Sequence, residues 1–118
     1  MRLPLLRVSP NHRRLVQANG SPFFYLADTA WVLFYKLNWD DTVRYLEDRA
    51  GKGFNVIQAV AIGELPGPNC NGDLPHERDD PLRPVEAYWQ HVDRVFEKAN
   101  DLGLYVAFLP TWGDRWNR

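Results

Sequence analysis

The chain has 118 residues, the size of one small domain, and 45% apolar content is enough to fill a core. Fourteen basic and fifteen acidic residues give a net charge of −1, and no Lys/Arg cluster exceeds a pair such as Arg13-Arg14. That excludes the phosphate-neutralising footprint of a nucleic-acid binder, and the single cysteine, Cys70, excludes an internal disulfide and a cysteine-rich metal site.

Residues 3–26 read as a β-hairpin feeding a core strand, the hairpin proper taking 3–20 and the β/α units 21–118. Leu6, Val8, Leu15 and Val16 supply its apolar positions, with turns at Pro10-Asn11 and Asn19-Gly20. The run Phe23-Phe-Tyr-Leu-Ala-Asp-Thr-Ala-Trp31 follows, a strand that ends on Asp28 and Trp31. Asp28-Thr29 then opens a short helical turn with Trp31, Phe34 and Leu37 at helical spacing. Asn38 can cap a helix whose first turn holds Asp40 and Asp41, where carboxylates favour the exposed N–H groups. Val43, Leu46 and Ala50 form its apolar stripe, and Gly53 stops it.

The second strand, Phe54–Ile62, carries Gln58 and is followed by Glu64. Residues 63–84 form a long loop rich in Pro, Asn, Gly and Asp, and a loop of that length in a compact domain is usually functional. Pro84 suits a first helical turn. Val85, Tyr88, Trp89, Val92, Val95, Phe96, Ala99 and Leu102 then recur at amphipathic spacing, with His91 on the polar side and Gly103 as terminator. The last run, Leu104-Tyr-Val-Ala-Phe-Leu-Pro-Thr-Trp-Gly-Asp114, is a third strand finishing in Trp112, Gly113 and Asp114. Strands this continuously apolar are buried on both faces and belong to parallel sheets, whose sites gather at the carboxyl ends of the strands. The fold class is therefore α/β, with hairpin, strand, helix, strand, loop, helix and strand in order.

The polar and aromatic residues at those strand ends are the candidate site. Asp28 is placed to line such a site or to cap the turn that follows it. Glu64 and Asp114 are the other carboxylates in such positions. Gln58 is a lone amide inside an apolar run; it either meets a polar group of another strand or binds a hydroxyl, since a buried amide without partners costs ~1–3 kcal/mol. Trp31 and Trp112 offer flat faces on which a flat or ring-shaped ligand can stack. Nothing resembles a metal ligand set, a phosphate-binding glycine loop or a Ser/His/Asp order, so no cofactor is expected. No segment approaches the ~20 apolar residues of a membrane span, and the opening Met-Arg-Leu-Pro-Leu-Leu-Arg has no signal-peptide core. The compartment is left unknown, with the cytoplasm as default.

Four motifs in order carry a family resemblance: Phe-Phe-Tyr-Leu-Ala-Asp-Thr-Ala-Trp at 23–31, Lys-Gly-Phe-Asn-Val-Ile-Gln-Ala-Val-Ala at 52–61, Asn-Gly-Asp-Leu-Pro at 71–75, and Leu-Gly-Leu-Tyr-Val-Ala-Phe-Leu-Pro-Thr-Trp-Gly-Asp at 102–114. Together they resemble the apiosidase-like glycoside hydrolases, glycoside hydrolase family 140, from about Leu6 to the end of the chain. The resemblance implies a (β/α)8 TIM barrel, of which this chain supplies the N-terminal hairpin and the first three parallel strands with their helices. A whole barrel takes ~250 residues, so the expectation is a single partial domain, the N-terminal portion of an enzyme that removes sugars such as apiose from plant polysaccharide side chains. The implied partner is a plant-type oligosaccharide or polysaccharide, bound by Asp28, Trp31, Gln58, Glu64, Trp112 and Asp114. The family's catalytic carboxylates are expected on later strands, so no residue here is assigned as catalytic and the chain alone is expected to be inactive. A complementing barrel fragment or self-association is expected to cover the exposed sheet. The rival readings are a non-catalytic carbohydrate-binding or interaction module and one half of a split enzyme.

Overall fold

A computed structural model describes residues 2–63 and 67–112. A two-stranded antiparallel hairpin opens the chain, β1 (Leu6–Val8) pairing with β2 (Leu15–Gln17) in the register Arg7 opposite Val16. The hairpin turn is knotted by Ser9, whose hydroxyl donates to Asn11 Oδ1 at 2.6 Å, and His12 takes a positive φ of 60°. The main sheet has three parallel strands in the order β3 (Ala27–Thr29), β4 (Val56–Val60) and β5 (Tyr105–Leu109). Thr29, Gln58 and Ala107 lie side by side, as do Asp28, Ile57 and Val106. The hairpin joins this sheet through Phe23, edge-on to Tyr105 at 5.3 Å, and through the Tyr105 hydroxyl, which donates to the Pro4 carbonyl.

The first strand is shorter than its apolar run. Phe23–Leu26 lies outside the strands, held by the Phe23 N–H to Leu15 O and by Leu26 O, which accepts from the Asn55 and Val56 N–H groups, and Phe24 is 78% exposed. Among the described residues β4 is the central strand, with β3 and β5 on either side of it. Val56, Ile57, Ala59 and Val60 of that central strand are all buried.

Helix α1 (Trp39–Gly51) begins where Asn38 Oδ1 accepts from the Asp41 N–H at 2.8 Å, with Asp40 and Asp41 in the first turn. Helix α2 (Glu86–Asp101) begins two residues beyond Pro84, which bridges to His76 instead of entering the helix; the Val85 N–H goes to the Pro75 carbonyl. Both helices run into their next strand through a glycine with φ near +85°, Gly53 and Gly103, a backbone state that a side chain would strain.

The core lies between the sheet and the two helices. Leu33, Phe34, Leu46, Ile57, Val95, Ala99 and Leu104 are fully buried there. Phe34 ties three elements together, lying 5.7 Å from Phe96 of α2 and 5.7 Å from Phe108 of β5. The helices meet through Arg94, whose guanidinium sits 3.6 Å over the Trp39 ring, and through the Lys98–Glu47 pair at 3.5 Å. His91 is buried in this layer, only 5% exposed, where the sequence puts it on the polar side. It stands three residues after Tyr88 and four before Val95, which carries it to the margin of the buried stripe. Burial holds its imidazole pKa below the ordinary value, with the Arg94 charge adding to the effect.

The loop after β4 folds back on itself. Residues 77–83 form a miniature ladder in which the Glu77 N–H donates to Arg83 O, Asp80 N–H to Glu77 O and Arg83 N–H to Asp80 O. Its tip holds Arg78 and Asp79, both at positive φ, and Leu82 at 88% exposure.

Candidate functional site

Alternation along the strands decides which side chains reach the open face of the sheet. Ile57 and Ala59 point into the helical core, so Gln58 between them points the other way, together with Thr29 and Ala107 beside it. Gln58 is half-buried and fully engaged: Oε1 accepts from the Tyr25 hydroxyl at 3.3 Å, and Nε2 donates to Thr29 Oγ1 at 3.1 Å. The amide therefore meets a polar group of the neighbouring strand, and this contact holds its head group on the open face.

Asp28 sits one residue earlier and so faces the helices. Its Oδ2 accepts from the Tyr45 hydroxyl and from Arg49 Nε, each at 2.6 Å, and α1 presents those two residues four apart on one side. The Tyr45 hydrogen bond first, and then that of Arg49, hold the Asp28 carboxyl below the usual carboxylate range. Desolvation raises the Tyr45 phenol, with the charge of Asp28 adding to it. The carboxylate thus clamps the strand to α1, and the structure does not bring it together with Trp31 and Gln58. The partners that displace the expected geometry, Tyr45 and Arg49, leave a sequence signal only as an i, i+4 pair on a helix beside a lone aspartate.

Trp31 and Trp112 do converge. Trp31 follows the end of β3 and Trp112 the end of β5, and their rings meet edge to face with centroids 5.0 Å apart. Trp31 remains 40% exposed. The exits of β4 and β5 are stitched together below this pair by Ala61 N–H to Leu109 O at 2.9 Å and Ile62 N–H to Pro110 O at 3.2 Å. Glu64 and Asp114, the two remaining candidates, lie outside the described residues. No group of three metal-binding side chains exists among the described residues, and no described helix is long and apolar enough to cross a membrane.

A model of the apiosidase-like catalytic domain matches residues 9–118. The chain belongs to the apiosidase-like catalytic-domain family. Among solved structures, a glycoside hydrolase is similar at 34% identity with a TM-score of 0.82, over 92% of this chain and 26% of its own. A glycoside hydrolase family 5 protein from Bacteroides vulgatus ATCC 8482 is similar at 29% identity with a TM-score of 0.81, over 92% of this chain and 25% of its own. No curated protein matches. The chain therefore spans about a quarter of the length of these solved structures and is a part of a (β/α)8 barrel of the glycoside hydrolase type. In such barrels the ends that carry Trp31 and Trp112 are the ones from which sites are built.

Proposed function

We propose that this apiosidase-like chain forms one wall of a sugar-binding site that acts on the side chains of plant polysaccharides. The convergence of Trp31 and Trp112 at the carboxyl ends of two parallel strands carries the reading. Two indole rings at an angle form a corner into which the apolar face of one sugar ring fits, while Gln58 and Thr29 offer hydroxyl and amide partners further down the open face. Glu64 and Asp114 are assigned to the same rim by their places in the sequence. Asp28 is assigned to support the wall from behind.

Glycoside hydrolysis takes two carboxyl groups on opposite sides of the scissile bond. The family's catalytic carboxylates are expected on later strands, so the 118-residue chain by itself is expected to bind without turnover. The test is calorimetry of gel-filtered protein with apiose-terminated plant oligosaccharides, beside an assay for released sugar. Binding is expected, with at least a tenfold loss in Trp112→Ala, the low end for an aromatic platform worth about 1.4 kcal/mol or more; released sugar is expected to stay at the blank. Absence of binding by the unaltered chain would sink the proposal.

A further inference from the structure

Tyr88 was legible in the sequence only as one apolar position of α2, yet its hydroxyl does something a core residue need not do. It is 1% exposed, and its O–H donates to the Ala61 carbonyl, the first residue past β4. The peptide it holds is the one whose N–H, from Ile62, donates to Pro110 O, and the Ala61 N–H on the preceding peptide donates to Leu109 O. From Pro110 the backbone runs two residues to Trp112, which meets Trp31. Hydrogen bonds thus lead from the first turn of α2, across the β4 exit, to Pro110, two residues before the aromatic corner.

The exit is gripped from the other side too. Gly63 lies so close under Tyr35 that a Cβ there would stand 2.8 Å from the Tyr35 Cζ. Trp89, next to Tyr88, donates its indole N–H to the Pro75 carbonyl at 3.0 Å, and the Val85 N–H donates to the same oxygen. Neighbouring residues of one helix therefore secure both the start and the later part of the loop between β4 and α2. Burial and the facing Tyr35 push the Tyr88 phenol up to about 12, so it stays a donor throughout the physiological range.

We infer that Tyr88 is a positioning residue for the sugar site, setting the place of Trp112 through the Ala61 carbonyl and the paired exits of β4 and β5. The inference rests on the sugar-site reading above and adds a residue that touches no ligand. Tyr88→Phe keeps the ring in the core and removes only the donor. Val95→Ala serves as the comparison: it empties core volume on the same helix and lacks any link to the β4 exit. Both are assayed as gel-filtered full chains by calorimetry with an apiose-terminated oligosaccharide, well below their melting temperatures.

Tyr88→Phe is expected to weaken binding about fivefold, the loss of one well-placed hydrogen bond. Val95→Ala is expected to melt lower and bind as the unaltered chain does. Gly63→Ala, which must displace the Tyr35 ring, is expected to weaken binding in the same direction as Tyr88→Phe. Equal affinity of Tyr88→Phe and the unaltered chain would overturn the inference alone, as would an equal loss in Val95→Ala. No binding by the unaltered chain would overturn the sugar site and this inference with it.

Discussion

At Asp28 a single step along a strand separates two roles. Thr29 shares the open face with Gln58, whereas Asp28 is taken by Tyr45 and Arg49 on the other side. The lowered carboxyl pKa has a consequence for stability. A carboxylate whose folded pKa lies below its unfolded value, about 3.8, contributes stability above that value and loses it as the pH falls through the folded pKa. Asp28→Asn is thus expected to be less stable than the unaltered chain at pH 7, by about 1 kcal/mol or less because the Arg49 pair is about a third exposed. The difference should begin to shrink near the unfolded value and go on shrinking as the pH falls through the folded pKa, and urea titrations at pH 7 and at successively lower pH follow it. Residue identities at this scale were legible and directions were not. A strand of three residues has no periodicity long enough to say which face a side chain takes, and one residue of register reverses it. His91 shows the same limit on a helix: a polar residue at the margin of an apolar stripe is assigned by type, while its neighbours decide by position.

Elements were the most legible scale. The Asn38 cap, the apolar stripe of α2 and the glycines after both helices are local signals, and each appears where the residues put it. The parallel order of β3, β4 and β5 follows from alternation of strands and helices. Pro84 is the exception, because a proline before a helix is equally suited to the extended bridge it makes with His76. The stretch after β3 is a run of hydrogen-bonded turns, with Leu33 N–H to Ala30 O and Lys36 N–H to Val32 O, and it holds Leu33 and Phe34 fully buried. Phe34 is the contact shared by that turn, α2 and β5, so truncating it should loosen all three. Phe34→Ala is expected to cost about 3–5 kcal/mol in denaturant titration. That is enough to unfold a domain of marginal stability, and a loss below 1 kcal/mol would show that the ring packs against a yielding surface.

The whole molecule is a slab with extents of 45 × 34 × 20 Å and a radius of gyration of 15.6 Å, against about 13.5 Å for a compact chain of this length. Its shape is that of a sector, open where a full barrel would close. Among the described residues β3 and β5 each present an unpaired edge, and Leu5, Phe24 and Leu82 are each more than three-quarters exposed. Unpaired edges and apolar surface favour association. The 118-residue chain expressed by itself is therefore expected to form concentration-dependent oligomers in light scattering; a monomer at all concentrations would contradict this. Only the four ordered motifs made the barrel legible from sequence. Composition and periodicity stop at a parallel α/β sheet, since closure depends on how many strands stand beside these three.

The ladder at residues 77–83 closes on its own backbone, and the His76–Pro84 bridge seals its base. None of residues 77–84 enters the buried core. What is self-sealed at its root can be exchanged at its crown: extra residues between Arg78 and Leu82 would lengthen the overhang while the strands beneath kept their spacing. An insertion in this loop is consequently expected to leave the sheet and its helices unaltered.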